Sequence, residues 1–271
     1  MIKDTLLVIP AFNEEKNIGM TLSGLLKDGI DQKMDILVVD DGSDDGTLTV
    51  IRSYSTRVMV IEHIFHMGYG AALQTGYKYA VKHHYSYLVQ MDADGQHDHR
   101  FVTRILSRLK GEIPAFGTDS AGDAPAVPDR IPDIVIGSRF LEEKGDCSFK
   151  GMKKGAISFF RFLIKRATGY RLTDPTSGFQ GLNRKAFVYY SGYMNFDLQY
   201  PDLNMLVQMI FRGFHVEEVP VIMYERFAGD SMHTGFRHQV RYMAVMLIST
   251  FNACTRNYKV CEERKEKRES K

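Results

Sequence analysis

Three short apolar runs in this chain each end in a cluster of polar and acidic residues, and that repeated ending narrows the fold more than any other feature. Leu6-Leu7-Val8-Ile9 stops at Pro10 and leads into Phe12-Asn13-Glu14. Ile36-Leu37-Val38-Val39 closes on Asp40-Asp41-Gly42-Ser43, and Tyr87-Leu88-Val89-Gln90-Met91 closes on Asp92-Ala93-Asp94-Gly95-Gln96-His97. Runs this short, without alternation and rich in branched residues, read as strands buried on both faces of a parallel sheet. In open α/β sheets, ligands bind outside the carboxyl ends of such strands.

The segments between them carry helical spacing. Glu14–Leu26 repeats Ile18, Leu22, Leu25 and Leu26, and similar patterns cover Thr47–Tyr54, Ala71–His83 and Phe101–Leu109. Further strands are expected at Val58–Glu62 and Ile134–Ile136. The alternation predicts a doubly wound, mostly parallel sheet with helices on both faces. Gly111–Pro132, rich in Gly, Pro, Ala and Asp, reads as a surface loop. Beyond it the pattern predicts helices over Gly155–Ala167 and Pro201–Arg212, and strands over Phe179–Leu182, Val216–Val219 and Val221–Tyr224. Arg161, Lys165 and Arg166 fall on the outer face of the first of these helices.

With 271 residues, 44% hydrophobic and 25% charged, the chain has the make-up of an ordinary globular protein. A formal charge of +2 lacks the basic excess of a dedicated nucleic-acid binder. Cys147, Cys254 and Cys261 are scattered without metal-ligand spacing, which fits reduced thiols in a cytoplasmic compartment. No secretory leader is evident, and no stretch reaches the roughly 18 apolar residues that span a bilayer.

Asp92 and Asp94 lie one residue apart where a buried strand reaches the surface. Like charges this close repel and raise each other's pKa. A hard divalent cation relieves that repulsion, and Mg²⁺ or Mn²⁺ held this way bridges carboxylates to substrate phosphates. The plainer reading is a helix cap or an Asx turn. For the Asp40–Ser43 cluster the two readings are a nucleotide-binding loop at the sheet's carboxyl edge and an ordinary turn or N-cap.

Near the C-terminus, Phe236, Val240, Met243, Ala244, Leu247, Ile248 and Phe251 share one helical stripe, flanked by Arg237, His238 and Arg241 and followed by a tail of mixed charge. Two roles fit: a helix packed on the core, or an interfacial helix lying on an anionic membrane.

Six motifs, in order, resemble glycosyltransferase family 2, the inverting GT-A enzymes, and within it the polyprenyl-phosphate sugar transferases related to dolichyl-phosphate mannose synthase. They are Ile9-Pro10-Ala11-Phe12-Asn13-Glu14-Glu15, Val38-Val39-Asp40-Asp41-Gly42-Ser43, Met91 to His97, Gly137-Ser138-Arg139-Phe140, Asp174-Pro175-Thr176-Ser177-Gly178-Phe179 and Glu225-Arg226-Phe227-Ala228-Gly229-Asp230-Ser231. The resemblance implies a GT-A catalytic domain over residues 1–235, with residues 236–271 forming the amphipathic helix and charged tail. It implies that Pro10, Phe12 and Glu14 line the nucleotide, with Asp40 and Asp41 closing that pocket. Asp92, Asp94 and Gln96 match the positions that hold Mg²⁺ or Mn²⁺, which also places Asp92 against the donor. Arg139 and Arg226 resemble phosphate contacts, and Lys153 and Lys154 occupy a segment that is basic for the acceptor phosphate.

The implied reaction moves a sugar from a UDP- or GDP-linked donor to polyprenyl phosphate at the inner face of the cell membrane, the enzyme being cytoplasmic or peripherally attached. A phosphate monoester, with a second pKa of about 6, is largely ionised at neutral pH and needs no base. A saccharide hydroxyl, the alternative acceptor in surface-polysaccharide synthesis, does need one. Asp174 is the candidate base or acceptor-side orienter, its plainer role being to hold its own loop. Asp202 is a weaker candidate, more simply placed by a helix N-terminus. A non-catalytic nucleotide-sugar-binding protein is the rival of a different class, and a Rossmann oxidoreductase is disfavoured because Gly68-Tyr69-Gly70 stands without the rest of its fingerprint.

Overall fold

The computed structural model describes residues 3–116, 130–141, 152–198, 201, 203–224, 245 and 248–253. Among the described residues, seven strands form one sheet: β1 (Thr5–Ala11), β2 (Asp35–Asp40), β3 (Met59–Glu62), β4 (Tyr87–Gln90), β5 (Ile134–Ser138), β6 (Gln180–Asn183) and β7 (Val216–Pro220). The helices are α1 (Glu15–Lys27), α2 (Ile30–Lys33), α3 (Thr47–Arg52), α4 (Tyr69–Lys82), α5 (Val102–Leu109), α6 (Met152–Thr168), α7 (Arg184–Ser191) and α8 (Leu203–Phe211), and a 3₁₀ turn (His99–Phe101) precedes α5.

The central strands are buried on both sides, as their unbroken apolar runs require. Alternate residues divide between two cores. Leu6, Val8, Leu37 and Val39 pack with Ala72 and Tyr77 of α4, and with Phe160 of α6, Phe187 of α7 and Leu206 of α8. Leu7, Ile9, Ile36 and Val38 pack on the opposite face with Ile18, Leu22 and Leu25 of α1 and Val102 and Ile105 of α5.

Strand order is β3-β2-β1-β4-β6-β5-β7. The chain winds one way from β1 to β2 and β3, then crosses to β4 on the other side. The carboxyl ends of β1 and β4 therefore flank a topological switch point, where α/β sheets leave a crevice. All neighbours run parallel except β6, which is antiparallel to both β4 and β5. That reversal has a functional consequence. Gln180, the first residue of β6, pairs with Gln90 of β4 and with Ile136 of β5. The loop entering β6, residues 174–179, is thereby delivered to the same sheet edge as Asp92 and Arg139.

Several boundaries differ from the sequence expectation. Pro10 does not end β1, which continues to Ala11. Val8 accepts from Met91 on the β4 side, and two residues on Pro10 faces that side again, where the β4 ladder has already finished. Its missing N–H costs no ladder bond there. Val221–Tyr224 is not a strand of the sheet. Asp98 donates its N–H to Ile222 O and Tyr224 donates to Gln96 O, so this segment clips onto the loop after β4 through a single bridge, His97 to Met223. Helix α7 was not anticipated, although Asn183 caps it by accepting from the Ala186 N–H at 3.0 Å.

Candidate active site

At the exit of β2, Asp40 and Asp41 are both buried. Asp40 folds an Asx turn, accepting from the Ser43 hydroxyl at 2.6 Å and the Ser43 N–H at 3.2 Å. Asp41 reaches across to the loop after β3, accepting from the Met67 N–H at 3.0 Å and the Gly68 N–H at 2.7 Å. His63 and His66 also point their Nδ1 atoms at its two oxygens, at 2.6 and 2.8 Å. These acids organise the loops that follow β2 and β3. Phe12 is half-exposed and stacks on His66 with ring centres 3.9 Å apart. The Glu14 carboxylate accepts from the Asn17 amide at 2.6 Å, while its N–H donates to Thr47 Oγ1. Pro10 is buried within β1.

At the exit of β4, the two acids of the Asp-Ala-Asp motif have different surroundings. Asp94 is buried and accepts from the Gln96 N–H at 3.0 Å, closing a tight turn in which Gly95 has φ of 76°. The Gln96 amide reaches the Tyr224 carbonyl at 3.4 Å. Asp92 is more open, its side chain 32% exposed. Its Oδ1 accepts from the Tyr69 hydroxyl at 2.9 Å, and its backbone N–H donates to His97 Nδ1 at 3.0 Å. Accepting at Nδ1 leaves the His97 proton on Nε2, which lies 3.7 Å from Asp92 Oδ2. His97 is enclosed and stacked on Phe179 at 4.8 Å. Burial pushes its imidazole down to about 4; Asp94 and Asp174 pull the other way, and Arg139 adds to the lowering. These charged groups thus gather around a neutral imidazole.

From β5 and the loop before β6 come Arg139 and Asp174. The Arg139 guanidinium donates Nε and Nη2 to the two oxygens of Asp174 at 2.6 and 2.7 Å, a bidentate pair with Asp174 fully buried. Glu218 of β7 braces this loop by accepting from the N–H groups of Thr173 and Asp174, each at 2.7 Å. Burial pushes the Glu218 carboxyl up, while those donors and the Thr173 hydroxyl hold it down. Arg161 does not sit on the outer face of α6 as its spacing suggested. It turns inward to donate Nε to Thr173 O at 2.6 Å and lies over the Phe140 ring at 4.5 Å.

Gly178 of the same loop meets the Asp92 region directly. A Cβ there would stand 2.9 Å from the Tyr69 hydroxyl and 3.4 Å from Asp92 Oδ2, so the missing side chain keeps a cradle beside that carboxylate. Among the described residues, no three His, Cys, Asp or Glu side chains form a ready cation cage. Asp92, Asp94 and the Gln96 amide could offer oxygens to a hard ion whose remaining ligands come from water and substrate, the usual arrangement for Mg²⁺.

Sequence reasoning missed Tyr69, His97, Arg161 and Glu218, because each acts through a partner distant in the chain or through a loop geometry that spacing does not encode. Arg226 and Asp202 lie outside the described residues. Lys153 and Lys154 fall on the first turn of α6, but their side chains are outside the described set.

The sequence matches the family described as Glycosyl transferase family 2 over residues 6–190. It is 31% identical over 247 residues to the polyprenol monophosphomannose synthase of Mycolicibacterium smegmatis, covering 85% of this chain and 81% of that one. It is 30% identical to the undecaprenyl-phosphate mannosyltransferase of Micrococcus luteus, covering 85% and 87%. Among solved structures, glucosyl-3-phosphoglycerate synthase from Mycobacterium tuberculosis, crystallised with Mn²⁺, UDP and phosphoglyceric acid, superposes with a TM-score of 0.65 at 15% identity, over 93% of this chain and 79% of that one. The chain belongs to glycosyl transferase family 2 and has the GT-A fold.

Proposed function

We propose that this family 2 glycosyltransferase moves a hexose from a UDP- or GDP-linked donor to a polyprenyl phosphate, with inversion at the anomeric carbon. The observation that carries the reading is the meeting of the Asp92 carboxylate, the Arg139–Asp174 pair and Gly178 around His97, at the switch point of the sheet. The names of the mycobacterial and micrococcal relatives support the acceptor class.

The donor nucleotide would lie along the carboxyl ends of β1 and β2, with Phe12 offering a ring face and Asp40 and Asp41 holding the surrounding loops. Asp92, Asp94 and Gln96 would hold Mg²⁺ or Mn²⁺, which when bound supplies positive charge to the diphosphate. Mn²⁺ or Mg²⁺ accompanies UDP in structures of the glucosyl-3-phosphoglycerate synthase. Arg139 would add a planar donor for a phosphate oxygen. Arg226, Lys153 and Lys154 retain the acceptor-side roles that their motifs imply.

In the step itself, an oxygen of the acceptor phosphate attacks the anomeric carbon. The bond from that carbon to the diphosphate breaks on the opposite face, and the electron pair leaves with the nucleoside diphosphate. No proton has to be removed. This agrees with the state of Asp174, whose two oxygens are both spent on Arg139 in a buried pair. Asp174 is better suited to orient Arg139 than to deprotonate a saccharide hydroxyl, and that favours the phosphate acceptor.

A polyprenyl phosphate resides in a membrane, so the enzyme would work at its cytoplasmic face. Among the described residues no helix is long and apolar enough to cross a bilayer. Most of the expected amphipathic helix lies outside those residues; of its stripe, Ile248 and Phe251 are described and are 62% and 67% exposed. We assign catalysis to residues 1–235 and membrane contact to residues 236–271.

The test is a thermal-shift panel of UDP- and GDP-sugars with and without Mn²⁺, followed by transfer of labelled hexose to undecaprenyl phosphate. One donor class should raise the Tm in an Mn²⁺-dependent manner, since a ligand at 100 times its Kd adds about 2.7 kcal/mol. No stabilised donor, or label moving only to saccharide hydroxyls, would sink the proposal. Donor binding without turnover on any acceptor would favour a sensor.

A further inference from the structure

We infer that Tyr69 is a positioning residue for the Asp92 carboxylate, an inference that rests on the reading of Asp92 as an ion ligand. Three consecutive residues join the acid at the end of β2 to the acid at the end of β4. The N–H groups of Met67 and Gly68 donate to Asp41, and the Tyr69 hydroxyl donates to Asp92 Oδ1 at 2.9 Å. Tyr69 is also the first residue of α4, so its backbone is set by the helix start.

The strap is held from behind as well. Gly68 has φ of 103°, a conformation that side-chain-bearing residues rarely adopt. At Gly70 a Cβ would collide with the Asp197 carbonyl oxygen, so the backbone is seated closely against residues 197–198. The phenol is therefore aimed by its backbone and ends beside the Gly178 cradle.

The chemistry of the donor matters as much as its place. A phenol is neutral, and each carboxylate oxygen has two lone-pair sites. Tyr69 can fix the rotation of Asp92 without neutralising its charge. A lysine or arginine at this point would pair with Asp92 and compete with a cation. On the Oδ2 side stands His97 Nε2, at 3.7 Å. Asp92 is thus met by a phenol on one oxygen and by an imidazole on the side of the other. Groups that orient ligands in this manner typically contribute 10- to 100-fold to metal affinity.

The experiment is a direct Mn²⁺ titration of the full chain, followed by electron paramagnetic resonance, in the presence of UDP and separately of GDP. Tyr69→Phe should bind Mn²⁺ about 10-fold more weakly than wild type, with the Tm unchanged within about 2 °C. Tyr69→Lys should weaken Mn²⁺ binding further by placing an ammonium against the carboxylate. Mn²⁺ affinity within twofold of wild type in Tyr69→Phe overturns the inference. So does a parallel collapse of Tm and affinity, which would make Tyr69 a pin of the fold. If the wild-type chain itself binds no Mn²⁺ with either nucleotide, the ion-ligand reading of Asp92 fails first and takes this inference with it.

Discussion

The two edges of the site hold their acids by different means. On the proposed donor side, Asp40, Asp41 and Asp92 are held by backbone N–H groups, hydroxyls and imidazoles within or between neighbouring loops. On the proposed acceptor side, Asp174 is fixed by a full ion pair with Arg139, and its loop is braced by Glu218, 44 residues away in sequence. An acid held by hydroxyl and backbone N–H groups keeps its charge. An acid spent on a guanidinium offers the ligand only the orientation of that guanidinium. Of the acids on the proposed donor edge, Asp92 is the more open one, while the proposed acceptor edge presents an arginine.

The contrast is broken most severely at Asp92. Asp92→Ala should lower kcat by about 10³-fold, the scale seen when one preorganised electrostatic group is removed, while the Tm moves by no more than about 2 °C. Steady-state transfer assays beside calorimetry would show whether activity and stability separate. Were the Tm to fall sharply, Asp92 would be part of the scaffold, and the distinction between the edges would disappear.

Arg139→Ala should do the reverse in its first effect. It strands a fully buried carboxylate, and breaking such a pair costs about 3–5 kcal/mol. Urea denaturation reads this directly, and Asp174→Asn combined with Arg139→Ala should recover part of the loss, because the stranded charge is gone. No recovery in the double variant would mean that the pair is not the element that stabilises the acceptor edge.

His97 lies between the two edges and gives a smaller, pH-dependent effect. Burial holds its imidazole at about 4 in the folded chain, against an ordinary value of 6.5. Between those values the unfolded chain binds a proton that the folded chain does not. The stability contribution is therefore complete above pH 6.5 and is lost as the pH falls toward 4, by on the order of 3 kcal/mol. His97→Gln should lack this component, so its stability should decline less steeply than wild type between pH 7 and pH 4.5 in urea titrations. Equal slopes would show that His97 is not held neutral by burial.

The donor edge was largely legible from sequence because its groups are local. Strands β1, β2 and β4 announce themselves as apolar runs, and their acids follow within one or two residues. Even there, spacing could not tell which acids face a ligand. Asp41 reads as a pocket residue, yet its carboxylate is occupied by the Met67 and Gly68 N–H groups. Arg161 was placed outward because helical spacing reports one apolar face and says nothing of a loop carbonyl within reach of the opposite one. Val221–Tyr224 had the composition of a strand, but its partner is the loop at residues 96–98.

Sequence by itself determined the α/β architecture and the polar strand ends, because periodicity and turn chemistry are local properties of the chain. Tertiary structure alone decided that β6 runs antiparallel between β4 and β5. That single reversal carries the 174–179 loop to the edge where Asp92 emerges. It also decided how each acid is held, since Arg139, Glu218 and Tyr69 reach their partners across 35, 44 and 23 residues. Contacts over such separations form only when the sheet brings their strands together, and no local pattern in the chain records them.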